Sequence, residues 1–322
     1  MQFDMGRRIL LAGLTAAFWR GTSFAERYPS RLVRLVVPGL AGGGIDIVAR
    51  LIGPGLSRDL AQTVIVDDRP GGNATVGAAV VAHALPDGYT VLISTSGPII
   101  NALGETLTYE PERDLLPISR VMTSPFFLAV PQDSKFHSVT ELLTAGRDTT
   151  QTVRYGHPGP GTTTHLATAL FNDMAHAHFV GIPYHGAAGQ ATDTMNGQVQ
   201  FGLFAAPDAL SRRNAGLRIL AVTSPQRSPL APDIPTVAES GLPGYDAELW
   251  HGLFAPAHTP SPVIERLRSA LAAATRDSTI RSRFRMLGMI PALDTPAEFQ
   301  KTIAEERVKD LALARSLNLK TY

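Results

Sequence analysis

Short apolar runs alternate along this chain with longer stretches in which apolar residues recur every three or four positions. The first run, Leu35-Val36-Val37, is rich in β-branched residues and reads as a buried strand. A glycine-rich turn, Gly39 to Gly44, follows, and Ile45, Val48, Ile52, Leu56 and Leu60 then recur at helical spacing. A strand, a glycine turn and a helix start leave backbone N–H groups unpaired at the positive end of a helix dipole, a setting that suits a carboxylate or a phosphate. An ordinary βα turn is the other reading, since glycine is common there. Gly53-Pro54-Gly55 lies inside this helix and predicts a kink or two short helices.

The alternation continues. A strand is expected at 63–66, ending in the polar loop Asp67 to Asn73, then a helix of small residues at 74–84. Pro86-Asp87-Gly88 marks a turn before a strand at 89–93, which runs into Thr95-Ser96-Gly97. A second set follows: a strand at 126–131, a helix at 139–147, and a strand at 153–155 leading into Gly159-Pro160-Gly161-Thr162-Thr163-Thr164-His165 and a helix. A strand at 179–182 ends in Pro183-Tyr184-His185-Gly186, with a helix to about 195 and strands at 199–204 and 217–222. Residues 224–244 are proline-rich with little regular structure, 249–256 is a further strand, and helices are expected at 262–275, 278–287 and 296–317. Such alternation predicts an α/β chain with parallel sheets whose ligands gather at the carboxyl ends of the strands. The two sets, roughly 30–122 and 125–247, predict two lobes facing each other across a cleft.

Composition narrows the chemistry. Of 322 residues 44% are hydrophobic and 18% charged, which supports one large or two medium folded domains. The net charge of +1, with no basic block, gives no support for binding nucleic acid or a membrane surface. The absence of cysteine removes thiol catalysis, disulfides and thiolate metal sites. Arg7-Arg8, an apolar run from Ile9 to Phe18 and small residues at Thr22, Ser23 and Ala25 have the layout of a secretory signal cut after Ala25. The apolar run is too short to span a bilayer, and the expected location is the periplasm.

No nucleophile elbow, P-loop or His-Glu-x-x-His motif occurs, and no cofactor or metal is expected. His176 and His178, with His165 and His185, make at most a weak chelate. Ser96, Thr162, Thr163 and His165 contain the residue types of a hydrolase, yet nothing marks the contacts that nucleophilic catalysis needs. The positive pattern is a gathering of neutral donors at strand ends: Gly42-Gly43-Gly44, Thr95-Ser96-Gly97 and Gly161-Thr162-Thr163. Neutral donors hold a carboxylate without the desolvation cost of a buried countercharge.

These stretches, with Val64 to Gly71, Pro86 to Thr90, Leu220 to Ser224, Pro235 to Tyr245 and Gly252 to Ala257, occur in an order and spacing that resembles the Bug family, the periplasmic substrate-binding proteins of tripartite tricarboxylate transporters. The resemblance covers the whole chain after the signal. It implies a two-lobed periplasmic-binding-protein (Venus flytrap) fold, each lobe a mixed sheet flanked by helices. Lobe I is then 26–124 and 248–322, and lobe II is 125–247. It implies a protein, not an enzyme, that captures a small carboxylated metabolite and delivers it as a monomer to a membrane permease pair, or reports it to a sensor kinase. Residue by residue, the ligand loops it implies are Ala41, Gly42, Gly43 and Asp46; Thr95 and Ser96; Gly161, Thr162, Thr163 and His165; and Tyr184 and Gly186. Blander roles stand beside these. Asp46 suits the helix dipole, Thr162 and Thr163 suit N-caps, His165 can pack on its helix, and Tyr184 can be a surface aromatic.

The chain departs from the family pattern at three places. Ile45 stands where the family often has a hydroxyl or proline, His185 where it has lysine or arginine, and Phe204-Ala205 where it has a polar pair. These departures predict a less polar distal pocket, suited to an aliphatic or aromatic acid over an amino acid.

Overall fold

A computed structural model describes residues 28–97, 99 and 107–317; the expected signal segment 1–25 lies outside the described residues. Strand β1 (Val33–Val37) is the apolar run read from the sequence, and it is buried on both faces. That requires helices on both sides. Val33, Leu35 and Val37 pack with α1 (Gly44–Leu60), while Val36 faces the cluster that holds α2 (Thr75–Ala82). Strands β2 (Val64–Asp68) and β3 (Thr90–Thr95) flank β1 in parallel, as the alternation predicts.

After a short helix α3 (Pro111–Asp114) the chain enters β4 (Leu115–Pro131), whose 17 residues serve two sheets. Residues 115–125 of β4 pair antiparallel with β9 (Glu248–Pro256), which in turn pairs antiparallel with β3. From Phe126 onward β4 pairs antiparallel with β7 (Phe201–Ala205) and β8 (Leu217–Val222). Strands β5 (Arg154–His157) and β6 (Val180–Pro183) complete the second half, β5 parallel to both β7 and β6. The small strand β10 (Ile290–Pro291) pairs with β4 on the first side. Each half is therefore a mixed sheet: parallel in its βα units, antiparallel where the halves join.

Only the last six residues of β4, 126–131, are expected from the sequence; the rest of the strand contains Pro117 and Pro125, residues that interrupt a strand pattern. The structure accommodates Pro117 by slipping the β4–β9 register between Pro117 and Ser119 and again between Arg120 and Met122. Pro125 sits opposite Glu248 at the end of that ladder, where the strand changes partners. Thr223, fully buried, holds the exchange. Its Oγ1 accepts from the Phe126 N–H at 2.8 Å and its own N–H donates to the Phe126 carbonyl at 2.9 Å. The Thr223 carbonyl accepts from the Ala247 N–H at 3.1 Å. One residue thus touches both segments by which the chain passes between the halves.

The second half buries Leu128, Tyr155, Phe171, Phe201 and Leu203 beneath α4 (Val139–Arg147) and α5 (Thr163–Ala175). Its opposite face buries Phe127, Phe204 and Ile219 beneath α6 (Ala187–Met195) and α7 (Ala206–Ser211). The C-terminal helices α8 (Ser261–Arg276), α9 (Ser278–Met286) and α10 (Pro296–Ser316) return to the first half. A capping box between Thr295 and Glu298 starts α10. Phe299 and Ile303 of α10 then pack with Trp250 and Phe254, while Leu313 near its far end packs against Leu166 and Ala169 of α5. So α10 lies on both halves.

Helix α1 runs through Pro54 as one element, so of the two expected forms it is not two short helices. Packing explains Gly55. A Cβ on Gly55 would stand 2.6 Å from the Cβ of Ala274, so Gly55 is where α8 crosses α1. Gly55→Ala is expected to lower stability by about 1–3 kcal/mol in chemical denaturation, despite the helix-propensity gain of alanine over glycine. In an Ala274→Gly background most of that loss should vanish.

Candidate functional site

The loop after β1 is shaped by a glycine in the left-handed region. Gly42 has φ +81°, which strains any residue with a Cβ. Its N–H donates to Asp46 Oδ2 at 2.7 Å, and the Gly43 N–H donates to the Leu40 carbonyl at 3.0 Å. Helix α1 starts at Gly44 with no side-chain cap. The N–H groups of Gly44, Ile45 and Asp46 have no acceptor among the described residues. The Asp46 carboxylate is buried and committed to holding the loop: Arg50 Nε lies 2.7 Å from its Oδ1, and Arg50 Nη2 reaches Asp68 Oδ2 at 2.8 Å. Burial pushes Asp46 up, but its bonds to Arg50 and to the Gly42 N–H outweigh this and hold it below the usual carboxylate range.

The loop after β5 repeats this geometry with different chemistry. Gly161 has φ +74°, and its N–H donates to His165 Nδ1 at 3.0 Å. Helix α5 starts at Thr163, capped by Thr162, whose Oγ1 accepts from the His165 N–H at 3.3 Å. The N–H groups of Thr163 and Thr164 have no acceptor among the described residues. In both loops a left-handed glycine stands two residues before the helix and donates to the side chain four residues on. One side chain is an ionised carboxylate and the other a neutral imidazole. Because Nδ1 accepts, the His165 ring proton lies on Nε2. The ring stacks on buried His157 with centroids 3.9 Å apart. Burial, then the His157 neighbour, lowers His165 from the ordinary 6.5 to about 4; burial lowers His157 as well.

The other expected ligand residues join these loops at adjacent strand ends. Thr95 ends β3 beside β1, opposite His251 of β9, and Ser96 follows it. Tyr184 and Gly186 follow β6 and are tied to the β5 loop: the Tyr184 N–H donates to the His157 carbonyl at 2.9 Å and the Gly186 N–H to the Pro158 carbonyl at 3.1 Å. Tyr184 is pinned rather than free, its hydroxyl donating to Asp193 Oδ2 at 2.9 Å and its ring lying against Gly156. Gly186 has φ +101° and open space around it. Ala41 is exposed beside Gly42. Of the twelve expected residues, Ser96 and Thr163 line a common cavity of about 40 Å³ between the halves. The rest form two clusters, one at the strand ends of each half.

Some residues escaped the sequence reading. His157 supports His165, yet it sat unassigned at the head of a loop that was itself singled out. Asp246, Glu248 and Glu306 line the cavity with Ser96 and Thr163. They lie far from the glycine loops in sequence, so no local signal joined them. Phe204, expected to make the distal pocket less polar, is buried in the core against α7, which leaves Ala205 at the strand end to carry that effect.

A sequence profile described as the tripartite tricarboxylate transporter family receptor matches residues 48–319. The chain belongs to this family. It is 34% identical over 303 residues to the UPF0065 protein in the tcbD-tcbE intergenic region of Pseudomonas sp. (strain P51), covering 91% of this chain and 89% of that one. It is 31% identical over 286 residues to protein BugT of Bordetella pertussis, covering 88% of each. Among solved structures it is similar to R. palustris Rpa4515 with adipate, at a TM-score of 0.72 and 31% identity, over 91% of this chain and 99% of that one. The fold of this receptor is that of the two-lobed periplasmic binding proteins. The profile match takes in the β5 loop, α5 and all of α10, and begins within α1 at Val48, after the β1 loop. No hydrogen bond joins Ser96 to His165, and the Nδ1 lone pair that a base would use is engaged by the Gly161 N–H.

The shift on His165 has a testable sign. The unfolded chain binds a proton there below about 6.5, and the native receptor does so only near 4. Stability carried by this group is therefore present above 6.5 and is lost as pH falls through the window to 4. Chemical denaturation of His165→Gln between these limits should show a shallower loss than the parent, by up to about one proton in the pH slope.

Proposed function

We propose that this receptor is a periplasmic protein that holds a small carboxylated metabolite between lobe I (26–124 and 248–322) and lobe II (125–247) and delivers it to a membrane permease pair, without chemistry on the ligand. The observation that carries this is the repeated helix start. Each half presents a glycine-anchored turn with backbone N–H groups that have no acceptor among the described residues, the setting in which a carboxylate is held by fixed dipoles. Two such sites, one per half, suit a ligand gripped by both, and binding then draws the lobes together by a hinge motion.

The ligand contacts in this reading come from Gly43 and the open N–H groups after it, Thr95, Ser96, Thr163 and the Nε2–H of His165, with Gly186 at the rim. Gly42, Gly161, Thr162 and Asp46 hold the loops in shape. The adipate bound by the R. palustris relative has an acyclic carbon chain between two carboxylates. An aliphatic or aromatic acid fits the apolar departures at Ile45 and Ala205 better than an amino acid does.

Native mass spectrometry of freshly purified protein should show a retained small acid, and a thermal-shift screen of mono- and dicarboxylates should raise the melting temperature for a subset. Gly161→Ala puts a Cβ on a left-handed residue at a cost of about 1–2 kcal/mol, so affinity for the best acid should fall roughly tenfold. No retained acid together with no shift across the screen would sink this function, and aspartate or glutamate as the tightest ligand would sink the apolar-pocket part.

A further inference from the structure

Several exposed arginines on this chain are held by carboxylates. Arg31 lies 2.9 Å from Asp87, Arg113 2.7 Å from Asp114 and Arg227 2.9 Å from Glu239. Helix α9 and the turn before it break this habit. Arg276, Arg281, Arg283 and Arg285 are all exposed, and none of their guanidinium groups has a hydrogen bond or ion pair among the described residues. Asp277, which caps α9, is taken by Arg58, whose Nη2 lies 2.8 Å from its Oδ2. Arg281 and Arg285 stand one turn apart, a like-charged pair that weakens a helix. In a chain with 29 basic and 28 acidic residues, this is a concentrated local excess of positive charge.

The helix is anchored from below. Its Ile280 and Phe284 are buried in the core of the first half with Leu271 and Ala274 of α8. The turn after it reaches the second half. A Cβ on Gly288 would stand 2.4 Å from that of Ala206 in α7, and the Gly288 carbonyl accepts from Ser124 Oγ at 2.9 Å. Ser124 lies just before Phe126, where β4 changes partners. The free face of α9 thus stands on one half, close to its seam with the other.

We propose that the outer face of α9 is a docking surface for an acidic segment of a membrane protein, bound through Arg281, Arg283 and Arg285. This rests on the delivery to a membrane partner proposed above and adds where that partner sits. A guanidinium presents a planar fork that matches a carboxylate with two hydrogen bonds, so three of them on one short helix fit a run of aspartate or glutamate. Met286, 63% exposed on the same helix, adds an apolar contact, and arginine and methionine are residue types that protein interfaces favour. A lipid surface fits less well. A helix that lies in a bilayer interface inserts an apolar face, and the apolar face of α9 is already committed to the core. A partner seated here lies next to the seam, so a movement of one half against the other changes the surface it meets.

Ser282, exposed between Arg281 and Arg283, can be replaced by photo-reactive benzoylphenylalanine in the full chain, expressed in its own cells. Light should link it to a membrane-spanning protein at a peptide rich in aspartate and glutamate. The variant Arg281→Glu/Arg283→Glu/Arg285→Glu should lose that link by more than about tenfold, because like charges then face each other, and Arg281→Gln/Arg283→Gln/Arg285→Gln should lose an intermediate amount. A link that persists unchanged in both variants overturns the proposal. So does no link, or a link only to phospholipid, to a second copy of this chain or to a peptide without acidic residues. Binding of the parent to phosphatidylglycerol vesicles that is lost in the charge-reversed variant assigns the face to lipid and overturns it as well. Thermal shift with carboxylates should be the same for the parent and both variants. That reading tests carboxylate binding by itself and shows that a lost link is not a failure to fold.

Discussion

Everything in this molecule is arranged around a hydrogen-bonded knot at Thr223. A strand can pair on only two edges, yet β4 has to serve two sheets. It does so by changing partners along its length, and the change leaves the backbone at Phe126 in need of fixed acceptors and donors. Thr223 supplies them with hydroxyl, N–H and carbonyl together, fully buried, and its carbonyl also takes the returning chain at Ala247. Each such bond is worth only about 1 kcal/mol net, but leaving any of these groups unpaired in the core costs more. The two passages between the halves are thereby held at one place, and the glycine loops on either side are set in relation to it.

Those loops show one backbone solution realised with two side chains. A left-handed glycine turns the chain into a helix, and the side chain on the first helical turn accepts the glycine N–H. Asp46 does this as an anion and is itself neutralised by Arg50. His165 does it as a neutral ring kept unprotonated by burial and by stacking on His157. The consequence for binding is an asymmetry. The β1 turn already has an internal carboxylate close to its dipole, whereas the β5 turn has none and offers a ring N–H as well.

Much of the fold was legible because its signals are local. β-branched runs gave β1, β3 and β8, and glycine-hydroxyl loops marked the strand ends where the candidate site lies. The hinge was not legible. Pro117 and Pro125 break the local strand pattern, and only the partner strand β9, some 130 residues away, shows how the register absorbs them. The same holds for α10. Its sequence predicts a helix at 296–317, and only the packing of Leu313 on α5 reveals that it spans both halves. Phe204 misled in the opposite direction: its position at a strand end suggested the pocket, while alternation along β7 turns its ring into the core.

The donors at the two helix starts are neutral, and that has an electrical result. A site built on arginine or lysine cancels the charge of its cargo. On the proposed function the ligand's charge is left standing here, so the loaded protein differs from the empty one by the whole of it. A membrane partner facing this receptor could therefore tell loaded from empty by potential as well as by shape.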